Sequence, residues 1–326
     1  MRIVRFHGAG PPSARGASVA LGNFDGVHRG HRAVLDAARR IARGADTPFA
    51  VLTFEPHPRS VLKPDSPPFR LLSFRSKMRA LEEQGVDLVI VVRFSPALAA
   101  YEPEAFVEKV LVGGLKVRHV VTGYDFHFGR GRRGTPELLA ALAKRHGFGH
   151  TRIAAQGDGA EFSSTRVREA LKRGQMGEAA QVLGCWWEVE ARVRQGARRG
   201  RALGYPTANL ELKNTLEPAR GIYAVFAAVG GEPFRPAVAS FGNRPTFGGG
   251  GDLLEVHLFD FAGDLYGRYV RVRFVERLRE ERKFESIEAL KAEMARDCES
   301  ARRILSTASP EGPLRAPTGV REGRRR

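Results

Sequence analysis

Apolar residues in the first half of the chain fall into short runs separated by longer amphipathic stretches. Val19 to Phe24, Phe49 to Phe54, Leu88 to Val92 and His119 to Thr122 read as strands, and the stretches between them read as helices. Arg29 to Arg43 carries Ala33, Val34, Ala37, Ala38, Ile41 and Ala42 at helical spacing. Ser73 to Gln84 and Pro103 to Val112 are ended by Gly85 and Gly113, each placed as a glycine C-cap. Thr135 to His146 is a further helix, and Ser163, Ser164 and Thr165 put hydroxyls where the helix running to Lys172 needs an N-cap. Strands alternating with helices predict a parallel α/β sheet.

After about Gly174 the pattern changes to strands punctuated by Gly, Pro and Asn. Trp187 to Val193, Ile222 to Val229, Ala237 to Phe241, Leu253 to Phe261 and Tyr269 to Val275 predict an antiparallel barrel. One long helix, Ser286 to Leu305, closes it, with a serine N-cap but Ala289 where a full capping box would place Glu. The expected organisation is therefore an α/β domain over 1–175, a linker over 176–185, a barrel domain over 186–305 and a disordered basic tail over 306–326.

A length of 326 residues suits two domains. The apolar run Leu88 to Val92 is far too short to span a bilayer, and the first residues hold no apolar segment of a secretory signal. Cys185 and Cys298 have neither disulfide-framework nor zinc spacing, so both are expected to be inert thiols in a cytoplasmic protein. The formal net charge of +17 raises the question of a polyanionic partner. Basic residues are nevertheless dispersed along the chain. The segment after Leu305 has five Arg against two Glu, only +3 of the total. No specific nucleic-acid partner is expected, and anionic nucleotide substrates would profit from the same field.

The strongest motif follows the first of these strands: Gly22-Asn23-Phe24-Asp25-Gly26-Val27-His28-Arg29-Gly30-His31. A glycine-rich turn lets backbone approach a polyphosphate, the helix behind it offers unpaired N–H groups, and His28 and His31 on one helical face can donate to phosphoryl oxygens. Packing or capping at a helix start is the plainer alternative. A metal pair is another, but no third ligand stands at recognisable spacing.

This segment resembles the HxGH signature of the nucleotidyltransferase superfamily. Thr53-Phe54-Glu55-Pro56-His57-Pro58, Gly123-Tyr124-Asp125-Phe126-His127-Phe128-Gly129 and Ser163-Ser164-Thr165-Arg166-Val167-Arg168 follow in order. Together they resemble the adenylyltransferase domain of bacterial bifunctional riboflavin kinase/FAD synthetases, which implies a Rossmann-like nucleotidyltransferase sheet and AMP transfer from ATP to FMN. By matched position, the resemblance assigns ATP phosphates to Gly22, Asn23, Phe24, Asp25, His28, His31, Ser164, Thr165 and Arg168. It assigns the nucleotide or flavin pocket to His57, Asp125 and Phe126. Gly129 to Gly134 formally satisfies GxGxxG, yet it opens no strand-to-helix turn after a first strand and is not read as a dinucleotide fingerprint.

The second half carries Gly200-Arg201-Ala202-Leu203-Gly204-Tyr205-Pro206-Thr207-Ala208-Asn209, which taken alone is as well read as a turn-rich barrel loop. Gly221 to Ala224, Phe241 to Phe247, Leu254 to Phe261, Leu265 to Gly267 and Leu278 to Phe284 follow in the order seen in riboflavin kinases. The resemblance thus covers about residues 16 to 305. It implies ATP contacts at Gly200, Arg201, Gly204, Pro206, Thr207 and Asn209, Mg²⁺ accompanying ATP on Thr207 and Asn209, flavin contacts at Tyr266 and Arg279, and Glu255 as general base. Alternation puts Glu255 and His257 on one face and Leu254, Val256 and Leu258 on the other, and periodicity leaves open which face lies inside. Cys185-Trp186-Trp187 and Ala191 depart from the usual family pattern. No organic prosthetic group is expected, since FMN and FAD are substrate and product beside riboflavin and ATP. Two competing readings stand: an HxGH nucleotidyltransferase for another phosphate ester with the barrel as specificity module, and a noncatalytic flavin- or RNA-binding protein.

Overall fold

The computed structural model describes residues 1–8, 10–195, 203–243 and 252–313. The chain packs as two compact units, Met1–Pro67 with Lys77–Ser163, and Pro68–Ser76 with Ser164–Arg326.

In the first unit β1 (Arg2–Phe6), β2 (Ser18–Leu21), β3 (Phe49–Glu55), β4 (Leu88–Arg93), β5 (His119–Gly123) and β6 (Gly149–Ile153) form one sheet in the order β1-β4-β3-β2-β5-β6. Every neighbouring pair is parallel. The apolar runs are central strands, fully buried in β2 and nearly so in β3, because crossover helices cover both faces of a parallel sheet. Helix α1 (Arg29–Gly44) buries Val34, Leu35, Ala37, Ala38 and Ala42 along one stripe, the residues whose spacing predicts it. Helix α2 (Phe74–Glu83) leads to Gly85 at φ +70, the expected C-cap conformation. Gly113 is not a cap. The helix at Pro103–Phe106 runs on as a π-helix over Val107–Gly114, and a Cβ on Gly114 would lie 2.5 Å from the Phe6 ring. Helix α3 (Pro136–His146) starts on Thr135, whose side chain accepts from the Leu138 N–H at 3.2 Å. Strands β1 and β6 have no counterpart in the sequence reading. They are the sheet edges, and most of their residues are at least partly exposed, so neither shows a continuous apolar run.

The second unit contains α4 (Ser164–Arg173), α5 (Met176–Leu183), β7 (Trp187–Arg194), β8 (Ala208–Leu210), β9 (Gly221–Val229), β10 (Arg235–Asn243), β11 (Asp252–Leu258), β12 (Tyr269–Arg279) and α6 (Ile287–Thr307). Its strands close into an antiparallel barrel in the order β10-β11-β8-β7-β12-β9. Trp187, Tyr223, Phe241 and Phe274 are fully buried there. The Phe274 ring lies 5.0 Å from Trp187 and 5.1 Å edge-on to Tyr223. Residues 68–76 join this unit because the Trp187 indole donates to the Leu71 carbonyl at 2.9 Å and the Leu216 N–H to Arg70 at 2.8 Å. The expected N-cap of the last helix is present: the Ser286 hydroxyl accepts from the Ala289 N–H at 3.1 Å.

Two expectations about connections are corrected. Most of 176–185 is helix α5, which buries Met176, Ala179, Ala180, Val182 and Leu183. The tail is ordered through its first eight residues. Ser306 and Thr307 complete α6, the Trp186 indole donates to the Ser309 carbonyl at 2.7 Å, and Arg273 donates to the Pro310 carbonyl at 2.9 Å. Residues 314–326 lie outside the described part.

The β5–β6 edge carries a pH dependence. His119 Nε2 meets Thr151 Oγ1 at 2.9 Å, and His150 Nε2 meets Thr122 Oγ1 at 3.1 Å. Burial holds His119 below the ordinary histidine range. His150 is held down by burial first, then by His119 and Arg152, against an opposing pull from Glu137. The unfolded chain therefore binds these protons more tightly, so stability is present above the ordinary value of 6.5 and is lost as pH falls through it. Urea unfolding at about pH 7.5 and about pH 5.5 should give a lower midpoint at the acid end. The pH slope should flatten in the His119→Asn/His150→Gln variant, and an unchanged slope would remove these two residues from the acid response.

Candidate functional site

Strands β3, β2 and β5 are consecutive in the sheet. The chain leaves β2 for β3 on one side and reaches β5 on the other, so the carboxyl ends of β2 and β5 mark a topological switch point, where open α/β sheets bind ligands. The motif segments follow these three strands: Gly22 to His31 after β2, Pro56 to Pro58 after β3, and Tyr124 to Phe128 after β5.

In the turn after β2, Phe24 has φ +51, Gly26 φ +92 and Val27 φ +44. Two non-glycine residues in this left-handed region are held there by packing, Phe24 being 1% and Val27 2% exposed. His28 is the N-cap of α1, and its Nδ1 accepts from the His31 N–H at 3.3 Å. In the neutral ring that contact leaves the proton on Nε2. The two imidazoles stack with centroids 3.6 Å apart, and the Phe24 ring lies 5.2 Å from His31. A Cβ on Gly30 would sit 3.0 Å from the Phe162 carbonyl and 3.1 Å from the His28 ring, so a side chain there would press on both. His28 thus caps the helix through Nδ1. Among the described residues no group of three or more His, Cys, Asp or Glu is arranged to hold a metal.

His57, half-buried, caps the short helix Pro58–Leu62 by accepting from the Arg59 N–H at 3.1 Å. Asp125 is exposed, while Phe126 packs on the sheet's core and stacks 5.8 Å from Phe128. Phe128 and Gly134 exchange backbone bonds of 3.1 and 2.8 Å, closing the glycine- and arginine-rich segment into a loop. Ser164, Thr165 and Arg168 lie on α4 in the other compact unit, where Arg168 Nε donates to the Phe69 carbonyl at 2.8 Å. Lys77 was not anticipated. It is 4% exposed on α2 and bonds the Asn23 carbonyl, and its legible signal was a lysine one turn before Leu81 on the apolar stripe.

The barrel site is set by register. Arg194, Asn209, Glu255, Ser240, Ile222 and Arg279 are successive cross-strand partners through β7, β8, β11, β10, β9 and β12. Leu254, Val256 and Leu258 are buried and Glu255 is exposed, so Glu255 points outward, directly beside Asn209. His257, on the same face, approaches the Pro206 carbonyl through Nδ1 at 2.9 Å, and the Tyr205 ring stands edge-on to it at 5.6 Å. This residue, which the motif comparison had passed over, fastens the Pro206-Thr207 segment to β11. Thr207 is half-buried, and Gly204 has φ +91 with open space where a Cβ would stand. Gly200 and Arg201 lie outside the described residues. Asn209 is 7% exposed, and its Oδ1 is buried with no hydrogen-bond partner among the described residues, a hard oxygen suited to a cation such as Mg²⁺.

Tyr266 and Arg279 are not brought together. Tyr266 precedes the first residue of β12 and Arg279 is its last, roughly 30 Å along a strand of that length. Arg279 bonds Asp297 at 2.9 and 2.7 Å and Glu293 at 3.4 Å, and it borders a cavity of about 260 Å³ with Leu278, Arg296, Ser300 and Ile304. Tyr266 is exposed, with its N–H bonded to Asp264 at 2.9 Å.

Residues 10–166 match the FAD synthetase family and residues 183–305 the riboflavin kinase family. The chain is 40% identical over 313 residues to the bifunctional riboflavin kinase/FMN adenylyltransferase of Escherichia coli K12, covering 95% of this chain and 100% of that one. It is 42% identical over 302 residues to the Pseudomonas fluorescens protein of the same name (91% and 96% covered) and 35% over 294 residues to that of Bacillus subtilis (88% and 92%). A crystal structure described as a macrolide-efflux protein from Streptococcus pneumoniae superposes with a TM-score of 0.82 at 31% identity, covering 92% of this chain and 98% of that one. No helix among the described residues of the present chain is long and apolar enough to cross a membrane.

Because the Asn209 amide oxygen has no hydrogen-bond partner among the described residues, Asn209→Leu should leave unfolding stability without added nucleotide within about 1 kcal/mol of wild type, or raise it. Chemical denaturation measures this, and a loss above about 2 kcal/mol would reveal a structural role for the amide.

Proposed function

The chain belongs to the bifunctional riboflavin kinase/FMN adenylyltransferase family, and from that premise we propose how its side chains divide the chemistry. The C-terminal domain phosphorylates riboflavin with ATP to give FMN and ADP, and the N-terminal domain adenylylates FMN with a second ATP to give FAD and pyrophosphate. The observation that carries the residue assignment is that the two motif sets, Ser164, Thr165 and Arg168 apart, fall on two different folds, one at a sheet switch point and one on a barrel's outer face.

In the barrel, Glu255 accepts the proton of the terminal ribityl hydroxyl as that oxygen attacks the γ-phosphorus of ATP and ADP leaves. Its outward position beside Asn209 supports this role, since base and phosphate-side oxygen share one row. Asn209 Oδ1 and the Thr207 hydroxyl would hold the Mg²⁺ that accompanies ATP, which when bound neutralises charge on the phosphates. Pro206, fastened by His257, and Gly204 border the same segment, and Gly200 and Arg201 belong to it by motif. Flavin contacts at Tyr266 and Arg279 rest on matched position. Of the two, Arg279 borders a cavity and is held by acidic residues of α6.

In the N-terminal domain an FMN phosphate oxygen attacks the α-phosphorus of ATP and pyrophosphate departs. The nucleophile is already ionised, so positioning and charge stabilisation supply the catalysis. His28 Nε2–H and His31 donate to phosphate oxygens, and the turn Gly22 to Asp25 supplies backbone donors. His57, Asp125 and Phe126, at the ends of the flanking strands, line the nucleotide or flavin pocket. The share of Ser164, Thr165 and Arg168 in holding the phosphates rests on motif match alone. A cytoplasmic location belongs to the same proposal.

Purified protein given riboflavin, ATP and Mg²⁺ should form FMN and then FAD, resolved by chromatography over time. His28→Ala should abolish FAD formation from FMN and leave riboflavin phosphorylation near normal; parallel loss of both in a folded variant would sink the division of sites. Glu255→Gln should lower the kinase kcat by about 10²- to 10⁴-fold with riboflavin affinity little changed and FAD synthesis from supplied FMN intact. A kinase rate within about threefold of wild type, below the range of a general base, would return Glu255 to the role of a surface charge.

A further inference from the structure

A lysine lies buried beneath the turn that follows β2, outside every motif. Lys77 is 4% exposed, and its Nζ donates to the Asn23 carbonyl at 3.3 Å and to the Thr53 hydroxyl at 3.2 Å. Thr53, with no exposed surface at all, donates to the same carbonyl at 3.2 Å. The Asn23 oxygen therefore accepts from two donors, one of them an ammonium, and charge-assisted bonds are the stronger kind. Burying a cation is unfavourable unless its bonds repay the lost hydration, and an apolar side chain of similar volume commonly serves a fold as well.

The direction of the clamp suggests what the lysine is for. In a trans peptide the C=O and N–H point to opposite sides. Holding the Asn23 carbonyl toward Lys77 turns the Phe24 N–H to the other side of the turn. Among the described residues no acceptor meets that N–H. Phe24 keeps φ +51 and its ring lies against His31, so the peptide is locked from both ends. A fixed backbone donor with positive charge behind it is the arrangement that stabilises charge developing on a reacting phosphate.

We propose that Lys77 is a positioning residue for adenylyl transfer, holding the Asn23–Phe24 peptide so that the Phe24 N–H faces the ATP phosphates. The inference rests on the adenylyltransferase reading of this domain. It makes Lys77 and Thr53 one device: the ammonium supplies charge and the hydroxyl fixes its direction.

The test uses the full chain, with FAD formation from FMN, riboflavin phosphorylation and thermal unfolding measured on each variant. Lys77→Met should lower kcat for FAD formation by about 10- to 100-fold, with KM for FMN within about threefold of wild type. Kinase rate should be unchanged, and the loss in FAD formation should persist at temperatures where the variant is fully folded. Thr53→Val keeps the ammonium and should lose about 3- to 10-fold in kcat. FAD formation by Lys77→Met within about threefold of wild type overturns the proposal. So does a kcat loss that tracks a lowered unfolding temperature and recovers on cooling, the mark of a merely structural lysine. Where Lys77→Met does not fold, a normal kcat in Thr53→Val is the overturning result. If the wild-type chain forms no FAD from FMN and ATP, the adenylyltransferase reading itself fails, independently of Lys77.

Discussion

Strand register is the constraint on which both sites depend. A slip of one residue between β8 and β11 would turn Leu254 outward and Glu255 into the barrel, because side chains alternate faces with a period of two. The slip is resisted by the buried row Leu254, Val256 and Leu258, whose transfer to water would cost about 1.5 to 3 kcal/mol for each side chain. The apolar interior thereby sets Glu255 beside Asn209 without using either polar residue to do so. The same logic governs the parallel sheet, where alignment of β2, β3 and β5 brings three separate loops to one edge.

Rigidity at these edges comes from packing, capping and buried hydrogen bonds. Phe24 and Val27 are held in left-handed backbone conformations that cost on the order of 1–2 kcal/mol each, a cost offset by their nearly complete burial. Lys77 and Thr53 hold the Asn23 carbonyl from below, and His28 caps α1 through Nδ1. In the barrel the corresponding part falls to His257, which ties Pro206 to the strand carrying Glu255. In both units a motif loop is thus fastened to a neighbouring element by a side chain, Lys77 in one and His257 in the other.

Charge in the second unit is organised mainly as structure. Glu188 lies between Arg271 and Arg273 at 2.9 Å from each. Burial acts to raise its carboxyl, but the two guanidiniums outweigh burial and hold it below the usual carboxylate range. Arg273 also donates to the Pro310 carbonyl, so this cluster anchors the segment that follows α6. The basic composition is partly explained by such pairs, which draw arginines to acidic partners and carbonyls within the barrel unit.

The sequence by itself determined the two-fold architecture, the long central elements and the motif residues, because each is a local pattern: a run of apolar residues, a 3.6-residue stripe, a cap, a glycine-rich turn. It determined much less where local pattern and environment diverge. The edge strands β1 and β6 have too little buried surface to show periodicity, the buried β8 is too short at three residues to show any, most of the linker expected over 176–185 is helix, and order in residues 306–313 comes from the distant Trp186 and Arg273. Tertiary structure alone decided that the Glu255 face is the outer one, that the Asn209 oxygen has no partner among the described residues, that Tyr266 lies before β12 and Arg279 at its far end, and that Lys77 lies under Asn23. Each of these depends on contacts between residues far apart in the chain, whose partners no local periodicity encodes.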